Sequence, residues 1–383
     1  MENKMKILLD TAVRNVARGL AGAAFILLLG FTVPAVAQHY TRVDLTSDQG
    51  VIAPAVAEGS SHINYDPNLL NSWGLARSAT SAWWIADNHA GVSTLYDGNG
   101  VPQPLVVSIP PPKDATGGAA PTGTVFNATT AFQVAPNQQA IFIFATEDGT
   151  ISGWNPRVDP THAVRQVNRP GAAIYKGLAL AQTAHGPRLY ATNFVTGDVE
   201  VFNETFKPVR LSPIAFRNPF LIGRTNWSAF GIQNVGGNIV VTYARRKPGE
   251  DDEEHGAGFG RVAIFDTEGH FISELQAGPW MNAPWGVALS PADFGAFSHR
   301  ILVGNFGSGN VEVFNTITGR HEGQLLSPDG SPLFIEDLWA LSFGSGTTGA
   351  FNELFFTSGP NDENDGLFGK ITVVNSEQRG NAE

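Results

Sequence analysis

Short apolar runs alternate with polar, glycine-marked turns along this chain, and one pattern recurs. In "RILVGNFGSGNVEVFNTITG", Arg300 to Gly319, an apolar run leads through an Asn and a Gly-rich turn into a second strand. There Val311 and Val313 alternate with Glu312, the period of a half-buried β-strand. The pattern returns as "WWIADNHAGVSTLYDGNG" from Trp83, "IFIFATEDGTISGWNP" from Ile141 and "LYATNFVTGDVEVFNE" from Leu189. It returns again as "IVVTYA" from Ile239, resuming at "GRVAIFDTEG", and as "LFFTSGPNDENDGLFGKITVVN" from Leu354. A first-strand phrase precedes each copy: "NSWGLA", "PTGTVF", "KGLALA", "SAFGIQ", "NAPWGVAL" and "DLWALSF".

Equivalent positions lie roughly 50 residues apart, within the range of repeat arrays. Each unit predicts four antiparallel strands, and six such units predict an all-β, six-bladed β-propeller. A linear solenoid would need polar capping repeats at its ends. The blades are expected at about 68–121, 122–172, 173–223, 224–278, 279–333 and 334–378. The last runs out of chain, so its fourth strand must come from elsewhere or leave an open edge. The segment "HYTRVDLTSD", His39 to Asp48, belongs to no unit and is expected to pair with "GKITVVN" and close the ring. The run "RRKPGEDDEEHGAG" in unit four reads as a solvated, mobile loop insertion, and "PNDENDG" as a shorter one in unit six.

Strand direction alternates within a blade, so loops before first strands and loops between second and third strands emerge on one face, the top. On the first side stand Asn71, Asn226, Asn282 and Asp337, followed closely by Trp73, Trp227, Trp285 and Trp339. On the second stand Asp87, Asn88 and His89, then Glu147 and Asp148, Asn193, Asn305, and Asn361 to Asp365. A concave channel mouth with convergent polar groups is the default site. The ligand-binding candidates there are Asn71, Trp73, Asp87, Asn88, Asn193, Asn282, Trp285, Asn305, Asp337 and Trp339. Each has a structural alternative. Asn and Asp form turns by bonding their own backbone, and tryptophans at one repeat position pack as wedges between blades.

Composition narrows the partners. The chain has no cysteine and a net charge of −11, which argues against nucleic acid or anionic lipid. Lys4, Lys6, Arg14 and Arg18, then an apolar run to Val33 and "AVAQ", form the pattern of a secretory signal cut after Ala37. The alternative is an uncleaved anchor, for which the run is short. The expectation is an exported protein, periplasmic or extracellular, with residues 38–383 as one propeller domain, monomeric and off the membrane once the signal is removed. HExxH, GxSxG, P-loop and CxxC signatures are missing.

"NSWGLA…WWIADNHAGVSTLYDGNG" and "NAPWGVAL…ILVGNFGSGNVEVFN" resemble NHL-type and gluconolactonase-like six-bladed propellers, and more closely an exported bacterial family of unassigned activity. The gluconolactonase resemblance implies a divalent cation, calcium, at the channel mouth, with Asn71, Asn282 and Asp337 as candidate ligands and Asp87 or Asn193 nearby. Asn71 stands where those enzymes carry Glu, and fewer carboxylates hold calcium less tightly. Two functions stay open. One is a binding module offering its top face to a small molecule, glycan or protein. The other is a calcium-dependent hydrolase of lactones or related esters, in which the cation polarises a carbonyl and activates water.

Overall fold

The computed structural model describes residues 38–49 and 63–374, and the secretory-signal segment lies outside the described residues. Six small, mainly antiparallel sheets form the six blades. Blade one comprises Ser72–Ala76, Trp83–Asp87, Val92–Tyr96 and Val107–Ser108. Blade two comprises Pro121–Phe126, Phe142–Thr146, Thr150–Trp154 and Val164–Asn168, with a small hairpin, Gln133–Ala135 and Gln138–Gln139, in its first connection. Blade three has Tyr175–Thr183, Gly186–Asn193 and Asp198–Phe202. Blade four has Trp227–Val235, Asn238–Arg246, Gly260–Phe265 and Phe271–Glu274. Blade five has Pro284–Leu289, Arg300–Asn305, Val311–Asn315 and His321–Gln324.

The sixth blade closes as expected. Leu338–Phe343, Leu354–Ser358 and Leu367–Val373 are joined by Tyr40–Ser47, which runs antiparallel to the last of them from Tyr40 opposite Val373 to Ser47 opposite Leu367. A short outer strand, Asn64–Tyr65, adds in parallel. The amino-terminal strand also reaches blade five, where the Tyr40 N–H donates to the Leu326 carbonyl at 2.8 Å.

Blade three departs from the four-strand expectation, and the reason is local. In blade one the fourth strand pairs Val107 with Ser93 after an isolated Tyr96–Pro102 bridge. Blade three repeats the bridge as Phe202–Pro208. Counting on by the same offset puts Pro213 where blade one has Val107. Proline has no N–H to donate to a ladder. The chain turns away at Ser212, whose carbonyl accepts from Ala215 N–H. A cavity of about 380 Å³ is left beside the third strand, lined by Val199, Val209 and Phe216 among others.

What holds the ring is the close approach of neighbouring first strands. A Cβ on Gly74 would stand 2.3 Å from the Thr122 carbonyl oxygen, and one on Gly123 would stand 2.3 Å from Leu178 N. Gly231 faces the Trp285 oxygen at 2.2 Å and Gly286 the Trp339 oxygen at 2.4 Å. Gly177 is looser, at 3.1 Å from blade four. Only a residue without Cβ lets the backbones approach this far. Hydroxyls tie the same seams: Thr192 Oγ1 donates to the Phe230 carbonyl at 2.5 Å, and Thr357 Oγ1 to the Trp73 carbonyl at 2.5 Å.

Gly231→Ala should therefore lower stability by about 1–3 kcal/mol through overpacking. Gly171→Ala is the comparison, since it has open space around it and a φ of 72° as its only strain. Chemical denaturation of both variants checks this, and equal midpoints would contradict the seam.

Candidate functional site

One backbone hydrogen bond recurs in five of the six blades and builds the top face, while blade four makes a similar bond two residues further out. The residue after the second strand donates its N–H to the carbonyl of the residue just before the first. Asn88 donates to Asn71, Glu147 to Ala120, and Phe194 to Ile174. Phe306 donates to Ala283 and Gly359 to Asp337, and in blade four Arg246, the last residue of its second strand, donates to Asn226. Four of the acceptors, Asn71, Asn226, Ala283 and Asp337, have φ between 45° and 63°. Asn and Asp tolerate this left-handed conformation better than most residues.

The bond also corrects a register. Ala283, not Asn282, is the blade-five equivalent of Asn71 and Asp337. Asn282 sits one residue earlier, and its Oδ1 accepts from Gly256 N–H at 2.7 Å. Trp227 is likewise out of step with the other tryptophans: it is half-buried, with Arg261 over its ring at 6.0 Å.

The residue before the seam position faces the axis in five blades. Trp73, Lys176, Phe230, Trp285 and Trp339 meet there across blades, while the Thr122 hydroxyl donates to the Tyr175 carbonyl of blade three at 2.6 Å. Trp73 and Trp339 stack with ring centroids 3.5 Å apart, and Trp285 meets both edge-on at 6.1 and 5.9 Å. Phe306 stacks on Trp339 at 4.0 Å, and Phe230 meets it at 5.9 Å. The three tryptophans are buried. They form a plug across the channel, where offset and edge-to-face pairs each contribute about 0.5–1.5 kcal/mol beyond burial. Trp339 Nε1 donates to Asn71 Oδ1 at 3.0 Å and Trp285 Nε1 to the Lys176 carbonyl at 2.9 Å, while Trp73 Nε1 has no partner.

Above the plug lies a charged layer. The Lys176 side chain is only 3% exposed, yet its Nζ lies 2.9 Å from Glu147, 3.5 Å from Asp252 and 3.7 Å from Glu253. It also stands 5.3 Å from the Trp73 ring and 5.2 Å from the Phe194 ring. Burial alone would lower its pKa, but Glu147 and Glu253 outweigh that and hold it charged. Asn88 Nδ2 donates to Glu147 at 2.9 Å, and Asn71 Nδ2 to Glu363 at 2.7 Å. Burial, with Glu253 and Glu147 as like charges, lifts Glu363 to about 7 against Asn71 and Lys176. Asp337 is lifted to about 6 by burial and then Glu336, with His255 opposing. His255 is raised by its interaction with Glu253, 3.8 Å away. Perturbed groups gathered at one opening mark a functional-site candidate.

The unit-four insertion is not the solvated loop that its composition suggests. Glu253–Glu254 forms a strand on Arg245–Arg246, and the Glu253 side chain is 4% exposed. Burial opposes its ionisation, and Lys176 more than offsets that. Asp252 and His255 form the rim, 62% and 44% exposed.

The remaining sequence candidates stand apart from this layer. Asp87 is fully buried, and its Oδ2 accepts from the Thr94 N–H and hydroxyl at 3.0 and 2.7 Å. Its pKa is raised well above the usual range by burial. Asn193 accepts from Ile174 and Val195 N–H, and Asn305 from Asn282 N–H, so both amides order their turns.

For calcium, the donor set is thin. The Asn71 and Asn282 amide oxygens are already engaged by Trp339 and Gly256, which leaves the Asp337 carboxyl, whereas calcium takes six to eight oxygens. Among the described residues, no three His, Cys, Asp or Glu side chains converge as a metal site. No helix among them is long and apolar enough to cross a membrane.

No family model matches the chain. Uncharacterized protein R648 of Acanthamoeba polyphaga mimivirus is 30% identical over 319 residues, covering 80% of this chain and 76% of that protein. Uncharacterized protein L690 of the same virus is 26% identical over 315 residues, covering 80% and 81%. These relatives are viral, and they lend no support to a bacterial, exported family. Among solved structures, virginiamycin B lyase from Staphylococcus aureus with quinupristin superposes with a TM-score of 0.51 at 12% identity, over 88% of this chain and 100% of that one. A streptogramin B lyase gives 0.50 at 11%, over 88% and 98%. At such identity the likeness shows the propeller fold alone. A gluconolactonase from Xanthomonas campestris gives 0.47, too loose to carry an argument.

The raised Glu363 has a consequence for stability. Between its ordinary value of 4.5 and about 7 the folded state binds more protons than the unfolded chain. Stability then falls as pH rises through that window. Glu363→Gln should flatten this part of the profile and add about 1–3 kcal/mol at pH 8. Urea unfolding from pH 4 to 8 checks this, and parallel wild-type and variant profiles would contradict the assignment.

Proposed function

The chain belongs to the family of mimivirus protein R648, and we propose that it is a binding propeller whose top-face channel mouth receives a polar ligand. The supporting observation is the charged layer on the aromatic plug. Lys176, Glu147, Glu253, Glu363 and Asp337 come from blades two, three and six and the blade-four insertion, yet meet at one opening. A network that ionic, with two carboxyls displaced towards neutrality, is costly to maintain inside a fold. Ligand recognition gives it a use. Small molecules, glycans and peptides all fall within this class.

A second reading draws on a separate observation. Glu363 and Asp337 are lifted to about 7 and about 6, the range that suits general acids and bases near neutral pH. That favours a hydrolase of lactones or related esters. Its calcium-dependent form would require Asn71 and Asn282 to release their present hydrogen bonds. Export belongs with both readings as a proposal, tested by amino-terminal sequencing of the protein recovered from cells.

Glu147 is the side chain to change, because it is partly exposed and outside the plug. On glycan, peptide and small-molecule arrays, wild type should bind a defined set, and Glu147→Gln should lose it with its fold intact by circular dichroism. Arrays without any hit, or hits unchanged in the variant, would remove the mouth as the site. Metal analysis and lactone turnover separate the two readings: turnover abolished by Asp337→Asn selects the hydrolase.

A further inference from the structure

We propose that the channel mouth recognises a cationic nitrogen of its ligand, a primary ammonium or guanidinium, held between Glu253, Asp337 and Glu363. The inference rests on the mouth being the site. Five carboxylates, Glu147, Asp252, Glu253, Asp337 and Glu363, with Glu336 and Asp362 beside Asp337, stand against Lys176 and His255, with Arg246 over the Phe194 ring at 5.4 Å and Lys247 near His255. Lys176 already shows what these surroundings accommodate. Its ammonium lies between carboxylates and over two aromatic faces, an arrangement that favours cations once water is removed.

Lys176 does not exhaust the acceptors. Glu253 Oε2 is buried and has no hydrogen-bond partner, and Lys176 Nζ stays 3.7 Å away. Among the described residues the Asp337 carboxyl also receives no hydrogen bond, while Glu363 receives only the neutral Asn71 amide. A buried carboxylate oxygen without a donor is unfavourable. A ligand N–H that also carries positive charge meets both needs. An anion would be repelled, and a neutral hydroxyl would leave the surplus charge in place. Charge-assisted N–H to carboxylate bonds are roughly twice as strong as neutral ones.

The test uses the full chain and three matched four-carbon probes: 1,4-diaminobutane, 1,4-butanediol and succinate. Calorimetry and thermal shift at low ionic strength and neutral pH should show binding of the diamine alone. Affinity should fall about tenfold or more in Asp337→Asn and in Glu253→Gln. Asp337→Asn is the safer variant, since its side chain is only partly buried whereas that of Glu253 is 4% exposed. Diol or succinate binding as tightly as the diamine would overturn the inference. So would diamine binding that is indifferent to Asp337→Asn, or no diamine binding at millimolar concentration. If neutral or anionic ligands then bind and Glu147→Gln abolishes that binding, the mouth stands as the site and only the cation preference falls.

Discussion

Neighbouring first strands pack closer than any side chain permits, and this contact sets everything else in the molecule. Gly74, Gly123, Gly231 and Gly286 each bring a backbone within about 2.4 Å of where a Cβ would stand. The sheets therefore cannot slide or rotate independently about the axis. Gly74, Gly231 and Gly286 are each preceded by an aromatic side chain that joins the axial plug. Blade six carries Ala340 at this position, and its seam is held by other means. Thr357 bonds back to Trp73, Ser72 bonds to Ser358, and Tyr40–Ser47 completes the sheet from outside.

That constraint explains what was readable in advance. The propeller, its closure by the amino-terminal strand and the sharing of one face by two loop sets all follow from strand periodicity and repeat spacing, which are local signals. The candidate site was only partly legible. Asn71, Trp73, Asn88, Trp285, Asp337 and Trp339 do meet at the mouth or in the plug below it. Asn193 and Asn305 instead serve their own turns; the positions that face inwards are the next ones, Phe194 and Phe306. Lys176 was visible in "KGLALA" as a lysine at the repeat's aromatic position, but only a position-by-position comparison of the units reveals it. Glu253 could not be found from local pattern. An acidic run looks solvated until a buried cation from another blade is placed beneath it.

Pro213 shows the same dependence on context. Its substitution into the outer position of blade three removes a ladder bond, and the chain departs towards blade four, where Phe216 N–H donates to the Gly269 carbonyl at 2.9 Å. The perturbed acids Glu363 and Asp337 are absent from the lining of the resulting cavity. Volume and chemistry thus part company in this fold. The cavity comes from an interrupted edge, and the candidate site comes from the axis.

The plug and the charged layer belong to one device. An open, water-filled channel would screen Glu363, Asp337 and Glu253 from both sides and leave their protonation ordinary. Trp73, Trp285 and Trp339 replace that water with a dry floor, which strengthens every charge interaction above it. The buried Lys176 then cannot shed its proton, and the acids around it divide. Glu253 is ionised as its counter-ion, while Glu363 is pushed up by burial and by the remaining negative charge. Aromatic residues at the repeat position thus do more than wedge blades apart. They make the electrostatics of one face possible, and a propeller with an unfilled axis and the same acids would hold them closer to their ordinary protonation.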